Sequence, residues 1–436
     1  MSLLLADATS NSALGITIFA LGGLAGATFY LPFKKVKHWA WESYWMVYAV
    51  TGLIIVPLVL AMKTSPNACN VLRHAPHGEI AYCFLCGAMW GFGGLTWGLM
   101  IRYLGFGLGL AIGCGLCSAA GTLLPPILGD YLKILFHTAP AGLTPSQAIH
   151  AGLYSLSKDA AARTALLGVG VSLLGIIFVG LAGMSKESDL PEEEKKKAIA
   201  EYNFKKGILI AIFSGLMSAG MSLGLNGGVV TEMKARYGSE TYVESGGDAK
   251  TAPASLADVE GRQFDKDKEV WVVPAAAVDE KLTSSTWEGI PVLVVVLLGG
   301  FAVNFLWCLL LNAKNRTFGD YIKPEGPLLL ANLVFAALAG AIWCCQFIAF
   351  KTGVAAMGSV QYIGWAVLLG SSIFFSGLLG IILGEWKGTS GRTGGLLMLG
   401  LLLLFISAGI FGYSGSLKKD KVEPAVETAA IQEIPV

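Results

Sequence analysis

The sequence predicts an all-α polytopic membrane protein with about ten transmembrane helices. Three observations carry that prediction. Only 14% of the 436 residues are charged and 54% are hydrophobic, whereas a soluble domain carries about 25% charged residues. Ten apolar runs lie at about 12–33, 41–62, 80–101, 103–124, 164–184, 207–226, 289–311, 327–350, 355–383 and 394–413. Each can cross a hydrocarbon core about 30 Å thick, which takes roughly 20 helical residues. Nine of the ten contain no Asp, Glu, Lys, Arg or His, and the second has only Glu42, in its first turn. Lipid leaves no partner for an open backbone, so such runs are helices.

The first run precedes the first basic residue, Lys34. A cleavable signal peptide needs positive charge ahead of its apolar core. The first helix is therefore expected to stay, with the N-terminus outside. Basic residues in short loops then orient the rest. Lys34, Lys35 and Lys37 follow the first run, and Lys186, Lys195, Lys196, Lys197, Lys205 and Lys206 follow the fifth. Lys314, Arg316, Lys323, Lys387 and Arg392 lie after the seventh and ninth. All fall on one side, assigned to the cytoplasm. The opposing short loops hold Lys63, Arg73 and Lys351. Both termini are expected outside, although Lys418, Lys419 and Lys421 of the tail weigh against this.

Two long segments share the outer side. Residues 125–163 contain Thr144-Pro145-Ser146-Gln147, a capping box with Pro at the first helical position, which predicts a surface helix over about 145–160. Residues 227–288 are polar, with one strand-like stretch at Val270–Val273. A net charge of +1 supplies no field that would draw in nucleic acid.

The helices also repeat. Gly87-Ala88-Met89-Trp90 in the third run matches Gly340-Ala341-Ile342-Trp343 in the eighth. Ile18-Phe19-Ala20 with Ala25-Gly26 matches Ile212-Phe213-Ser214 with Ala219-Gly220, again five helices apart. An odd number of helices per repeat inverts the second half, a transporter design whose site lies between the halves near the midplane. The expected division is a first repeat over 1–184, a cytoplasmic linker over 185–206, a second repeat over 207–414 and a polar tail over 415–436.

Longer motifs carry a more specific signal. Phe29-Tyr30-Leu31-Pro32-Phe33-Lys34-Lys35-Val36-Lys37-His38-Trp39-Ala40-Trp41-Glu42 closely resembles the end of the first helix in the L-rhamnose–proton symporter family. So do Gly87-Ala88-Met89-Trp90-Gly91 followed by Arg102-Tyr103-Leu104-Gly105, Ser218-Ala219-Gly220-Met221-Ser222 with Asn226, Gln361-Tyr362 with Trp365, and Glu385-Trp386. The resemblance covers about 15–124, 164–226 and 289–415. It implies the drug/metabolite transporter fold, ten helices in two inverted five-helix repeats. It also implies proton-driven uptake of a deoxy-sugar, L-rhamnose first, across a bacterial inner membrane. The chain departs at Gly94, where the family carries polar residues, and in a shorter, less polar stretch between Tyr362 and Trp365. The alternative is export or facilitated passage of another small metabolite or amino acid.

A neutral sugar needs amides and hydroxyls, plus a flat aromatic face for its C–H groups. Trp90 and Trp343 lie near the middle of their helices, away from the interfacial belt. They are the first candidates to line a pocket, with Trp365 and Trp97 behind them. Gln346 is one turn from Trp343 on the same face. Gln361 and Asn226 follow on the family resemblance, while Asn304 and Asn332 are assigned to helix packing. A coupling proton needs a titratable group on the path. The candidates are Glu42 and Glu385, both at cytoplasmic helix ends. Cys83/Cys86 and Cys114/Cys117 have metal-like spacing but no charge nearby to stabilise thiolates, so they are assigned to packing. No catalytic motif, metal or organic cofactor is expected. The expected partners are the sugar and lipid.

Overall fold

The computed structural model describes residues 12–104, 106–136, 145–158, 160–189, 204–245, 253, 256, 259–265, 268, 270–274, 280–322, 326–357, 363–384 and 386–417. Ten helical spans among them are long and apolar enough to cross a membrane, and the chain is an integral multi-pass membrane protein. In chain order the helices are α1 (Ser12–Thr28), α2 (Trp41–Thr64), α3 (Ala68–His74), α4 (His77–Leu104), α5 (Phe106–Leu135), α6 (Pro145–Lys158) and α7 (Ala160–Asp189). The series continues with α8 (Phe204–Ser218), α9 (Gly220–Asn226), α10 (Val229–Tyr237), α11 (Ile290–Asn315), α12 (Gly326–Met357), α13 (Gly364–Ile382) and α14 (Gly391–Ser416).

Two spans are irregular for identifiable reasons. In α2 a wide turn at Thr51–Ile55 precedes Pro57, whose ring cannot follow a regular preceding turn. The sixth span is broken at Ala219 and again at Gly227–Gly228, giving α8, α9 and α10. Several expected boundaries need correction. α5 runs through Pro125 and Pro126 to Leu135, taking in the first eleven residues of the segment expected to lie outside the membrane helices. The helix expected at about 145–160 is α6, but the span after it begins at Ala160. Residues 355–357 belong to α12 and not to the next helix. Lys351, expected in a short loop, is a buried residue of α12.

The polar insertion before α11 carries three strands, β1 (Tyr242–Ser245), β2 (Gln263–Asp265) and β3 (Val270–Val273). They form an antiparallel sheet in the order β1-β3-β2, with Tyr242 opposite Val273 and Phe264 opposite Trp271. Val270 and Val272 alternate inward onto Met233, which seats the sheet on α10.

Helices in lipid gain nothing by hiding apolar surface from one another, so close backbone packing has to hold them. Glycines supply it. A Cβ on Gly87 of α4 would stand 1.9 Å from the Val296 carbonyl oxygen of α11, and one on Gly299 of α11 would stand 1.9 Å from the Phe84 carbonyl oxygen of α4. The crossing of α2 and α12 is built the same way. A Cβ on Gly340 would lie 2.5 Å from the Tyr48 carbonyl oxygen, and one on Gly52 would lie 2.6 Å from the Gly340 carbonyl oxygen. The leading glycine of each repeated motif is thus a crossing point. Other glycines bring α9 onto α4 at Cys86, and α1 onto α13 at Ser371.

These distances predict Gly87→Ala to be costly, because carbonyl oxygens on a neighbouring helix cannot rotate aside. Overpacking of this kind costs about 1–3 kcal/mol or more. Gly170→Ala, with nothing within 4 Å of the new methyl, should be tolerated. Melting temperatures in detergent check this, and equal melting of the two variants would refute the crossing argument.

Candidate functional site

The two motif tryptophans meet. Trp90 comes from α4 and Trp343 from α12, and their ring centroids are 5.1 Å apart. Trp343 also packs on Phe347 at 4.4 Å and takes the edge of Tyr48 at 5.7 Å. Phe347 continues the seam to Trp365 of α13 at 6.4 Å, and Phe350 touches Trp365 at 5.5 Å. Glycines make room for two of the rings: Trp90 lies against Gly300 and Trp365 against Gly121. The Trp365 indole donates to the Cys117 carbonyl at 3.2 Å, which fixes that ring on α5. Trp343 is only 5% exposed. The seam is therefore an interior surface joining helices from both ends of the chain. A separate recess on α6, lined by Ser146, Gln147, His150 and Tyr154, shares no residue with it.

Gln346 borders the seam and differs from the other intramembrane amides. It is 7% exposed, its Oε1 stands 2.8 Å from where a Cβ of Gly26 would be, and Ser372 of α13 closes the other side. Among the described residues its amide has no hydrogen-bond partner. Asn304, by contrast, accepts from the Trp45 indole at 2.9 Å and donates to the Gly300 carbonyl at 2.8 Å. Asn332 accepts from the Lys37 amide at 3.0 Å and donates to the Lys37 carbonyl at 2.8 Å, pinning the loop after α1 to α12. Trp97 donates to Ser218 at 3.0 Å. Asn226 is half-buried at the end of α9 and donates to the Ser222 carbonyl at 2.8 Å, within its own helix. Gln361 and Glu385 lie outside the described residues.

Glu42 is buried at the start of α2, where Asn315 and Thr317 each donate to its Oε1 at 2.9 Å. Among the described residues it has no cationic partner. The neighbouring Ser43 and the Ala40 amide donate to Asp320 at 2.7 and 2.9 Å, so this whole corner ties the α11–α12 connection to α2. Cys83 donates to the Gly224 carbonyl at 3.4 Å, a packing contact between α4 and α9. No group of three His, Cys, Asp or Glu among the described residues could hold a metal ion.

The chain matches the family described as L-rhamnose-proton symport protein (RhaT) over residues 9–243 and 268–416. It belongs to that family. An L-rhamnose-proton symporter of Klebsiella pneumoniae is 29% identical over 402 residues, which cover 92% of this chain and 97% of the relative. Those of Cronobacter sakazakii and Salmonella gallinarum are also 29% identical over 92% of this chain, covering 96% and 97% of the relatives. The RhaT-family match is wider than the motifs implied. It runs through 125–163, and leaves out only 244–267 between its two stretches.

Sequence reasoning missed the polar residues that RhaT-family membership does not by itself point out. Ser118 and Thr122 of α5, one turn apart, and Ser172 of α7 are fully buried with no partner for their hydroxyls. Membrane-helix hydroxyls ordinarily bond a carbonyl one turn back, as Thr64 and Thr352 do here. A second missed group surrounds Glu232 of α10, which pairs with both Lys351 and Lys268. Glu79, at the start of α4, accepts from the Val230 and Thr231 amides at 3.1 and 2.8 Å and so caps α10 from another helix. The available signal was the Gly227-Gly228 pair, which breaks an apolar run just before Glu232.

The amides separate by what they hold. Asn304→Leu strands the Trp45 indole and should lower stability by about 1–3 kcal/mol. Gln346→Met removes no protein hydrogen bond and should leave the melting temperature in detergent unchanged. A Gln346→Met loss equal to that of Asn304→Leu would mean that this amide is structural.

Proposed function

We propose that this chain takes up a deoxy-sugar, L-rhamnose first, together with protons, by alternating access. The observation that carries the reading is the Trp90–Trp343 seam with the unpaired Gln346 amide beside it. An apolar ring face accepts the C–H face of a sugar, and a free buried amide gives and takes one hydrogen bond from its hydroxyls. The RhaT family and its named symporters supply the substrate and the coupling ion. Trp90, Trp343 and Gln346 are the core of the proposed site, with Trp365, Asn226 and Gln361 around it.

The proposed architecture is two inverted five-helix repeats, 1–184 and 207–414, with 185–206 as linker and 415–436 as tail. Matching pairs support it. α4 crosses α11 through Gly87, and α12 crosses α2 through Gly340, which are the same pair of positions five spans apart. The proposed location is a bacterial inner membrane, with both termini and the sheet-bearing insertion outside. Glu42 and Glu385 are the proposed coupling carboxylates on the cytoplasmic side. Because Asn315 and Thr317 hold Glu42 to the α11–α12 connection, moving that connection would change its surroundings.

Adding L-rhamnose to energised, lightly buffered cells that express the protein should alkalinise the medium. Trp343→Ala and Gln346→Ala should each raise the half-saturating sugar concentration roughly 5- to 150-fold, the equivalent of about 1–3 kcal/mol. Glu42→Gln should abolish accumulation against a gradient and spare exchange. Alkalinisation absent for every deoxy-sugar tested would overturn the reading.

Orientation has its own test in exposed Cys69, on α3 beside the insertion. Asn67, just before that helix, donates to the Ala235 carbonyl at 3.0 Å and accepts from Thr283 at 2.6 Å. An impermeant thiol reagent should label intact cells, and Cys69→Ser should remove the signal. Labelling that requires lysis would invert the assignment.

A further inference from the structure

The ion cluster beneath the insertion has no role in the site described so far. Glu232 of α10 is 2% exposed and is held on one side by Lys351 of α12 and on the other by Lys268 of the insertion. Lys351 also donates to the Leu225 carbonyl at 2.7 Å, where the sixth span breaks. Glu288, just before α11, is buried behind them. Its Oε1 lies 3.7 Å from Lys268 and its Oε2 lies 3.7 Å from Arg236 of α10. Both are loose ion pairs and neither is a hydrogen bond, and Oε2 is fully buried with no hydrogen-bond partner. The other groups around it are Asp265 of β2, which pairs with Arg236 at 3.0 Å, and Tyr237 of α10, which donates to Asp265 at 2.9 Å.

This cluster stands over the seam. Trp343, Phe347 and Lys351 follow one another at four-residue spacing, so they share one face of α12. The Glu232–Lys351 pair therefore joins α10 to α12 one turn beyond the ring that packs on both Trp343 and Trp365. Separating these helices would open a way from the insertion side toward the seam.

We propose that the Glu232–Lys351 pair latches a gate on the insertion side, and that Glu288 must bind a proton for this gate to close over the sugar. The proposal rests on the transport reading above. An ionised carboxylate without a hydrogen bond is costly to bury, and a neutral carboxyl is far less so. Burial, with Glu232 and Asp265 adding to it against Lys268 and Arg236, raises Glu288 from its ordinary 4.5 to about 7 in this closed arrangement. Opening admits water and returns it toward the ordinary value. The closed form thus holds the proton more tightly than the open form, so protonation favours closure. Closure is lost as pH rises through about 7. The proton comes from hydronium in the adjoining water, adds to a carboxylate oxygen of Glu288, and returns to water on opening. No other bond changes.

Exchange of radiolabelled L-rhamnose across proteoliposomes, with equal pH on both faces, reads gate closure without a proton gradient. Wild-type exchange should fall about tenfold between one pH unit below and one above the midpoint, the ratio of protonated fractions. Glu288→Gln, a permanent mimic of the protonated carboxyl, should exchange at the low-pH rate throughout. A flat wild-type profile overturns the proposal, and needs no variant to fold. So does a Glu288→Gln profile that keeps the wild-type fall. No exchange of any deoxy-sugar by wild type at any pH would overturn the transport reading instead.

Discussion

Two backbone-on-backbone crossings fix the distance at which the ends of the chain meet. Gly87 and Gly299 let α4 and α11 touch, and Gly52 and Gly340 do the same for α2 and α12. Each motif places its tryptophan three residues after the crossing glycine, so close crossings deliver both indoles to one place. Any side chain at those glycines would hold the helices apart and open the seam. The rings contribute large contact areas, of the order of 150–250 Å² each, but the backbone determines where that area is spent. The candidate site thus depends on residues that cannot touch a ligand.

The buried polar groups divide along the same line. Asn304, Asn332, Trp97 and Glu79 are bonded to groups on other helices or loops, and they hold the bundle together. Ser118, Thr122, Ser172 and Glu288 are buried with a polar atom left over, and the Gln346 amide has no hydrogen bond among the described residues. In an apolar interior an unmet hydrogen bond costs about 1–3 kcal/mol. Leaving several unmet is sensible only where something else arrives to meet them. In the proposed reading a sugar hydroxyl meets Gln346, and a proton meets Glu288.

Much of the bundle was legible because lipid imposes a simple rule. An uncharged run of about 20 residues has to be a helix, and ten spans resulted. The Trp90–Trp343 meeting was legible for a different reason, since repetition of a motif five helices apart reports shared geometry. Boundaries were less legible. Pro125 and Pro126 read as an end, yet α5 continues past them to Leu135. Lys351 was misread because a lone lysine among apolar residues resembles a loop, and its neutralising partner, Glu232, is 119 residues away in sequence. Counting charges along a chain cannot register a pairing made across space. The same limit hid Glu79, whose acceptors are satisfied by backbone amides of another helix.

α12 gathers these threads, because it carries each feature in order along its length. Gly340 makes the crossing with α2, Trp343 joins the ring of α4, Gln346 offers its amide toward α1, Phe347 reaches Trp365 and Lys351 binds Glu232. A helix is stiff along its axis, so these contacts cannot rearrange independently. Tilting α12 away from α10 to break the Lys351 pair must also shift Phe347 against Trp365, while Gly340 stays pressed on α2 as the natural pivot. A sugar bound at Trp343 and Gln346 would therefore feel the state of the ion cluster two turns away. Conversely, a ring face occupied by sugar would bias how α12 sits, and with it how readily Glu288 is buried. Such reciprocity is what any coupling between two ligands requires, and here one helix is enough to carry it.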